Sequence, residues 1–183
     1  GDHRDLHSFL TRRSSDLDVE ALAFMAKEKG LNPQILNSVM DVNYERRSNA
    51  VKHVEKLLNG LENKVVGLLG LAFKENTDDM RDAASIDIAD GLIKAGATVR
   101  GYDPVARETA APHMPKVKIY DNPYNMAEGC DALVVVTPWN EFKQLDLEKI
   151  KSLLKSPIVY DGRNIYEPNR MKEMGFTYKA VGR

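Results

Sequence analysis

Cysteine and histidine are scarce in this chain, and their scarcity excludes several kinds of chemistry. Cys130 is the single cysteine, so the sequence predicts neither an internal disulfide bond nor a cysteine-based metal cluster. The four histidines lie far apart in the sequence, with none at a metal-ligand spacing, and we expect no metal site. Such sparing use of cysteine is typical of a reducing compartment, so we expect a cytoplasmic setting.

An excess of charge of one sign and a long apolar run are also missing. The 183 residues carry a formal net charge of -1, and lysines and arginines are dispersed among acids. Neither nucleic acid nor an anionic membrane surface is therefore expected as a partner. No apolar run approaches the ~20 residues that span a bilayer. With 43% hydrophobic residues, the chain is expected to fold around a core.

The first third of the chain divides into an irregular segment and a helical one. Residues 1–17 have mixed charge and weak periodicity, as in a tail, a linker or a cloning-derived segment. Residues 18–60 predict two helices, the first ending near Gly30 and the second covering residues 33–58 up to Gly60. The second helix would be ~39 Å long, more than a small domain needs for its own core. It is either a connecting helix or, as we favour, a dimerisation helix that pairs with a second copy.

Residues 61–183 alternate between short apolar strands and helices, which is typical of a parallel sheet. The segment DALVVVT has an unbroken apolar run, as expected for a strand that is buried on both faces. The sequence therefore predicts an α/β fold: a Rossmann-like parallel sheet with helices on both faces, preceded by the long helix. The predicted strands are 64–70, 98–103, 116–121, 131–137, 157–161 and 177–182.

Polar side chains follow several of these strands directly. The carboxyl ends of parallel strands lie along one rim, where ligands bind at the point at which strand order reverses. Two cations at that rim, Lys74 and Arg163, favour an anionic ligand such as a diphosphate. The turn after the first strand is not G-x-G-x-x-G, so a complete dinucleotide site is not expected. Asp103 could act as the ribose-binding acid of such sites or could simply form an Asp-Pro turn.

Four carboxylates lie between the first strand and its helix, namely Glu75, Asp78, Asp79 and Asp82. We favour an interaction with the dipole and N–H groups of the following helix over a metal site or an acid–base pair. The acids could also pair with Lys74 and Arg81. Cys130 begins the fourth strand at the opposite rim, where we expect a small buried residue and not a nucleophile.

The segments GLAFKENTDDMR, GYDP, VVVTPWNEF and DGRNIY occur in this order along the chain. Together they resemble the C-terminal half of UDP-glucose 6-dehydrogenases, which belong to the broader family of nucleotide-sugar 6-dehydrogenases. The resemblance extends roughly from Asp18 to the end. Residues 70–81, GLAFKENTDDMR, are called the lysine loop. Dehydrogenases of GDP-mannose and of UDP-N-acetyl sugars carry related versions of this loop, and the equivalent part of one of these enzymes is an alternative.

The resemblance implies a function for the chain and roles for four residues. Family members have an N-terminal NAD-binding domain, a central helix that builds the homodimer, and a C-terminal domain that binds the UDP moiety. They oxidise UDP-glucose to UDP-glucuronate by two hydride transfers to NAD. By this resemblance Phe73, Lys74 and Arg163 contact the UDP-sugar, and Arg81 reaches the NAD.

The chain departs from the family pattern at its catalytic loop. Family members carry a nucleophilic cysteine in a loop similar to GGSCFPKDV, whereas this chain has SSDLDV, with Ser14 at the place of the cysteine. Only Asp18 and Val19 match that loop, and a serine hydroxyl is far less nucleophilic than a thiolate. The NAD-binding domain has no counterpart in these 183 residues. We therefore expect the isolated chain to bind UDP or UDP-glucose without catalysis, or, alternatively, to be a dimerisation and assembly module without ligand binding.

Overall fold

The computed structural model describes residues 15–182, with side chains at Val19 and from Ala21 onward. It begins with two helices, α1 (Ser15–Glu28) and α2 (Gln34–Leu58). Both predicted helices are thus confirmed, and α1 begins slightly earlier than expected. The chain leaves α2 through Asn59, whose φ of 53° is left-handed, one residue before the predicted stop at Gly60.

Strands and helices then alternate to residue 180. The strands are β1 (Val65–Leu69), β2 (Thr98–Tyr102), β3 (Lys118–Tyr120), β4 (Ala132–Val135), β5 (Ile158–Asp161) and β6 (Thr177–Ala180). The helices are α3 (Ala84–Lys94), α4 (Arg107–Ala110), α5 (Pro123–Ala127), α6 (Asn140–Lys143), α7 (Leu147–Leu153) and α8 (Pro168–Glu173). All six predicted strands are present. The sequence did not predict α4 and α6, because a helix of one turn is too short to show an apolar period.

The six strands form one parallel sheet in the order β3-β2-β1-β4-β5-β6. This is the order of the doubly wound dinucleotide-binding fold, in which the direction of winding reverses between β1 and β4. The predicted Rossmann-like α/β fold is therefore confirmed. The loops after β1 and β4 flank the switch point, the place at which open sheets of this type bind their ligands.

Both faces of the sheet are covered by helices, as expected for its apolar central strands. Along β4 successive side chains enter opposite cores, with Val134 on one face and Leu133 and Val135 on the other. The first core includes residues of α3 and the last turns of α2, and the second includes residues of α5, α6, α7 and α8. This alternation follows from the two-residue period of a strand.

The chain divides into two compact units between Arg46 and Arg47, inside α2. The last turns of α2 belong to the second unit, since Ala50, Val54 and Leu58 are buried in its core. The predicted functional division into residues 1–17, 18–60 and 61–183 stays a prediction. Among residues 15–182, no helix has the length and apolar character needed to cross a membrane.

Candidate functional site

The candidate site lies at the carboxyl ends of β1, β4 and β5, which are adjacent in the sheet. Val136, just after β4, donates its backbone N–H to Leu69 O at 2.9 Å, and Gly162 donates its N–H to Val135 O at 3.0 Å. The segment after β4 is therefore bonded to β1 on one side and to the loop after β5 on the other. Both predicted cationic loops flank this segment.

The loop that carries Lys74 packs directly on the segment after β4. Gly70 has a φ of +90°, and a Cβ atom added there would lie 2.4 Å from the Cβ of Thr137. Thr137 also donates its hydroxyl to Ala72 O at 2.6 Å. Glycine is needed at this position because the backbone is left-handed and the neighbouring loop leaves no space.

Arg163 contacts the same segment from the other side. Its Nε donates to Val136 O at 2.5 Å, and its backbone N–H donates to the Asp161 carboxylate at 2.9 Å. Gly162 permits this approach, since a Cβ there would lie 2.8 Å from Val135 O. The structure thus places the Lys74 loop and Arg163 at one rim, against the adjoining residues Thr137 and Val136.

Phe73 and Lys74 are both half-buried at this rim. The Lys74 ammonium lies 5.6 Å from the centroid of the Phe73 ring, a cation–π distance. The Phe73 N–H donates to Asp79 O at 2.9 Å, so the loop folds back on the acidic segment that follows it. An aromatic ring beside an ammonium group is a suitable arrangement for a nucleotide, which has a planar base and an anionic diphosphate.

Arg81 lies farther along the same loop and is largely exposed, with 75% of its side chain accessible. Its guanidinium binds both carboxylate oxygens of Asp79, with Nε–Oδ1 at 3.0 Å and Nη2–Oδ2 at 2.7 Å. These hydrogen bonds lower the pKa of Asp79 to about 2. The sequence allowed acids of this loop to pair with Lys74 and Arg81, and the pair between Asp79 and Arg81 is confirmed.

The expected capping role of the acidic cluster is not observed. Ala83 is the residue that precedes α3, and no side chain caps that helix. Asp82 instead binds Arg47 of α2 at 2.8 Å, and Asp87 in the first turn of α3 binds the same guanidinium at 2.6 Å. Sequence reasoning missed Arg47, because nothing local distinguishes it within the polar middle of the long helix.

The sequence allows Asp103 to be either a ribose-binding acid or part of an Asp-Pro turn, and the structure shows the turn. Its Oδ1 accepts hydrogen bonds from the backbone N–H groups of Val105 and Ala106, at 3.0 and 2.9 Å. Its Oδ2 accepts three further hydrogen bonds, and the residue is only 3% exposed. With its lone pairs engaged inside the protein, Asp103 is not placed to bind a ribose.

Cys130 is fully buried beside β4 at the amino-end rim, as expected from the sequence. Burial raises the pKa of its thiol to about 11, which opposes formation of a nucleophilic thiolate. The predictions for Ser14 and the rest of residues 1–14 lie outside the residues that the structure describes. Within the described residues, no group of three or more His, Cys, Asp or Glu side chains is placed to hold a metal ion.

The order of the sheet is that of a Rossmann-like domain, a class in which many members bind nucleotides at the switch point. The UDP binding domain of the UDP-glucose/GDP-mannose dehydrogenase family matches residues 67–168 of this chain. The chain therefore belongs to that family. The matched range contains the lysine loop, Asp103, the segment after β4 and Arg163.

Curated relatives agree with this assignment. The chain is 39% identical over 173 residues to the UDP-glucose 6-dehydrogenase of Pseudomonas aeruginosa, covering 91% of this chain and 38% of the relative. It is 35% identical over 167 residues to UDP-glucose 6-dehydrogenase TuaD of Bacillus subtilis, covering 91% of this chain and 36% of the relative. This chain thus spans little more than a third of the length of these curated relatives.

Solved structures show the same likeness. A UDP-glucose dehydrogenase from Pyrobaculum islandicum matches with a TM-score of 0.77 at 30% identity, covering 91% of this chain and 36% of that one. A GDP-mannose dehydrogenase from Pseudomonas aeruginosa matches with a TM-score of 0.65 at 25% identity, covering 80% of this chain and 34% of that one. The resemblance extends across the family, and the UDP-glucose enzyme is the more similar of these two structures.

Proposed function

We propose that this chain is the UDP-sugar-binding part of an NAD-dependent UDP-glucose 6-dehydrogenase. One observation carries the proposal: the Lys74 loop and Arg163 pack against adjoining residues, Thr137 and Val136, at the switch point of the sheet. A lysine-bearing loop and an arginine on either side of one short segment suit a ligand with two neighbouring phosphates. The similarity to UDP-glucose enzymes supports the choice of sugar over GDP-mannose.

Each residue of the rim has a role in this proposal. Lys74 and Arg163 neutralise the diphosphate, and Phe73 packs against the nucleotide sugar. Arg81, exposed on the same loop, is the contact toward NAD. The chain does not form a dinucleotide-binding turn of its own, because the turn at Gly70 packs on Thr137. The Asp103 carboxylate already accepts five hydrogen bonds from the protein. NAD would therefore be held mainly by residues outside these 183, and the isolated chain would not oxidise the sugar.

Isothermal titration calorimetry of the 183-residue chain with UDP and UDP-glucose tests the proposal. We expect measurable binding, weakened by ~1–3 kcal/mol in Lys74→Ala or Arg163→Ala, the range for one lost charged hydrogen bond. Lys94→Ala is the matched control, because Lys94 is exposed in the last turn of α3, at the opposite end of the domain. Its affinity should equal that of the unmodified chain.

A panel of nucleotide sugars separates the members of the family. UDP-glucose should bind more tightly than GDP-mannose, and UDP alone should retain most of the affinity if the diphosphate dominates. Tighter binding of GDP-mannose or of UDP-N-acetylglucosamine would assign the chain to another branch. No binding of any of these ligands to the folded chain would refute the proposal.

We also propose that the chain forms a homodimer through the predicted helix 33–58, in the cytoplasmic setting expected from the sequence. Large apolar side chains are exposed in the first compact unit. Ile35, Val39 and Val42 lie on one face of α2 at i, i+4 and i+7 and are 80%, 41% and 47% exposed. An apolar stripe of this kind is typical of a helix that packs against a partner. If ligand binding fails, this stripe favours the assembly-module alternative.

Sedimentation velocity across micromolar concentrations tests the dimer. We expect a dimer for the unmodified chain and a shift to monomer for Ile35→Asp combined with Val39→Asp. Asp41→Asn is the control, because Asp41 is exposed on α2 away from that face. A monomer at every concentration would refute the dimer without affecting the UDP-binding proposal.

A further inference from the structure

Five polar or charged side chains are buried among the described residues, and four of them serve the candidate site. The five are Ser85, Asp103, Asp131, Thr137 and Asp161, each no more than 9% exposed. Burying such groups is unfavourable unless they are hydrogen-bonded, so the partners of each show what it holds in place. Asp131 binds at the amino-end rim, where its carboxylate accepts the N–H of Val65 at 2.8 Å. The other four bind the loops at the carboxyl-end rim.

Asp103 joins three loops through one carboxylate. Its Oδ2 accepts hydrogen bonds from Leu71 N at 2.8 Å and Ala72 N at 3.1 Å, in the loop after β1. The same oxygen accepts from Trp139 Nε1 at 3.1 Å, after β4, while Oδ1 serves its own turn after β2. Five N–H groups therefore converge on one carboxylate, which carries the charge needed to accept them all.

The backbone carbonyl groups of Leu71 and Ala72 are also bound by buried side chains. Ser85 donates its hydroxyl to Leu71 O, and Thr137 donates its hydroxyl to Ala72 O. All four backbone polar groups of Leu71 and Ala72 thus pair with side chains from three other parts of the fold. These residues immediately precede Phe73 and Lys74, so the start of the lysine loop has one well-defined conformation.

Asp161 plays a corresponding part for the other cation. Its Oδ1 accepts from Arg163 N at 2.9 Å, and its Oδ2 accepts from Ile165 N at 2.8 Å and Tyr166 N at 3.1 Å. The Tyr178 hydroxyl donates to Oδ2 as well, at 2.8 Å. Both cationic loops are therefore anchored to a fully or nearly fully buried aspartate at the end of a strand.

We propose that Asp103 is a positioning residue for the nucleotide diphosphate, acting with Thr137 and Ser85 to fix the Lys74 loop before the ligand binds. The inference rests on the proposed function, since it assumes that this loop receives the UDP moiety. Fixing the loop in advance removes an ordering cost from binding, so its loss should weaken affinity even when the protein stays folded. A purely structural carboxylate would affect stability alone.

The central experiment compares Asp103→Asn with Asp131→Asn in the full 183-residue chain. Both changes replace a buried carboxylate by an amide of the same shape, but Asp131 binds Val65 and Lys155 at the opposite rim. An amide has one acceptor oxygen and an NH₂ group in place of the other, so it cannot accept all five N–H groups around Asp103, and its NH₂ would face donors. Urea unfolding gives the stability of each variant, and calorimetry with UDP gives its affinity under conditions in which it is folded.

We expect Asp103→Asn to weaken UDP binding about ten-fold or more, while Asp131→Asn leaves the dissociation constant within about two-fold. Amide hydrogen exchange should accelerate at Leu71 and Ala72 in the first variant and not in the second. These two readouts separate positioning from a general loss of stability.

A second pair of variants decides the matter if Asp103→Asn does not fold. Thr137→Val keeps the side-chain shape without the hydroxyl donor to Ala72, and Thr137→Ser keeps the donor. We expect the valine variant to bind UDP more weakly and the serine variant to bind nearly normally. If Asp103→Asn or, failing that, Thr137→Val binds UDP as tightly as the unmodified chain, the positioning role is refuted and the proposed function stands. If the folded, unmodified chain binds neither UDP nor any of the nucleotide sugars, both are refuted.

Discussion

Removal of the Arg47 guanidinium is the most direct test of how the long helix is joined to the loop that carries Arg81. Arg47 binds Asp82 at 2.8 Å and Asp87 at 2.6 Å, and a further hydrogen bond of 3.3 Å reaches Asp82 O. These contacts connect α2 to the end of the loop and to the first turn of α3. We choose Arg47→Met because methionine retains much of the apolar stem while removing all the donors.

The expected loss of stability follows from the exposure of the three side chains. Arg47 is 12% exposed and Asp82 is 20% exposed, whereas Asp87 is 51% exposed. A hydrogen bond to a charged group shielded from water contributes ~1.5–3 kcal/mol, and a solvent-exposed ion pair contributes ~0–1 kcal/mol. We therefore expect Arg47→Met to lower the free energy of unfolding by ~2–3 kcal/mol, mainly through Asp82. The corresponding fall in Tm is ~4–12 °C for a chain of this size.

Urea unfolding followed by circular dichroism measures this change. Arg46→Met is the matched control, since Arg46 is the preceding residue of the same helix and is exposed. It should change the free energy of unfolding by no more than ~0.5 kcal/mol. A double-mutant cycle with Asp82→Asn isolates the coupling between the two charges. Equal losses in Arg47→Met and Arg46→Met, or a coupling energy near zero, would refute the reasoning.

Two further predictions concern the lysine loop. Gly70→Ala should lower the free energy of unfolding by ~2–5 kcal/mol, because strain at φ +90° adds to a clash with Thr137 at 2.4 Å. Gly129→Ala should cost ~1 kcal/mol in the same urea assay, since Gly129 has φ +70° but open space around it, and an equal loss in both variants would exclude the clash. Arg81→Ala should raise the pKa of Asp79 from about 2 toward its ordinary value of ~3.9, as measured by NMR titration of the carboxylate. Because the pKa of Asp79 is lower in the folded state than in the unfolded state, the Asp79–Arg81 pair stabilises the fold above pH ~3.9. This stabilisation is lost as the pH falls through about 2. An unchanged Asp79 pKa in Arg81→Ala would contradict the assigned role of Arg81.

The sequence by itself determined the class of fold and the general location of the site. Apolar strands alternating with amphipathic helices specify a parallel sheet, and polar residues that follow strands then have to lie at one rim. Lys74 and Arg163 were predicted to share this rim because each lies close after the end of a strand. Such predictions succeed because they depend on the spacing of apolar residues in strands and helices and on residues that are neighbours along the chain. The four-residue helices α4 and α6 gave no such period and were missed.

Tertiary structure alone decided the partners of the buried and half-buried charges. Asp103 lies 31 and 32 positions from the two N–H groups that it binds after β1, and Arg47 lies 35 and 40 positions from Asp82 and Asp87. Hydrogen bonds extend only about 3 Å, so which donor meets which acceptor depends on how strands and helices pack, and no local pattern encodes it. For the same reason the sequence allows two interpretations of Asp103, and no local pattern distinguishes Arg47 from its neighbour Arg46.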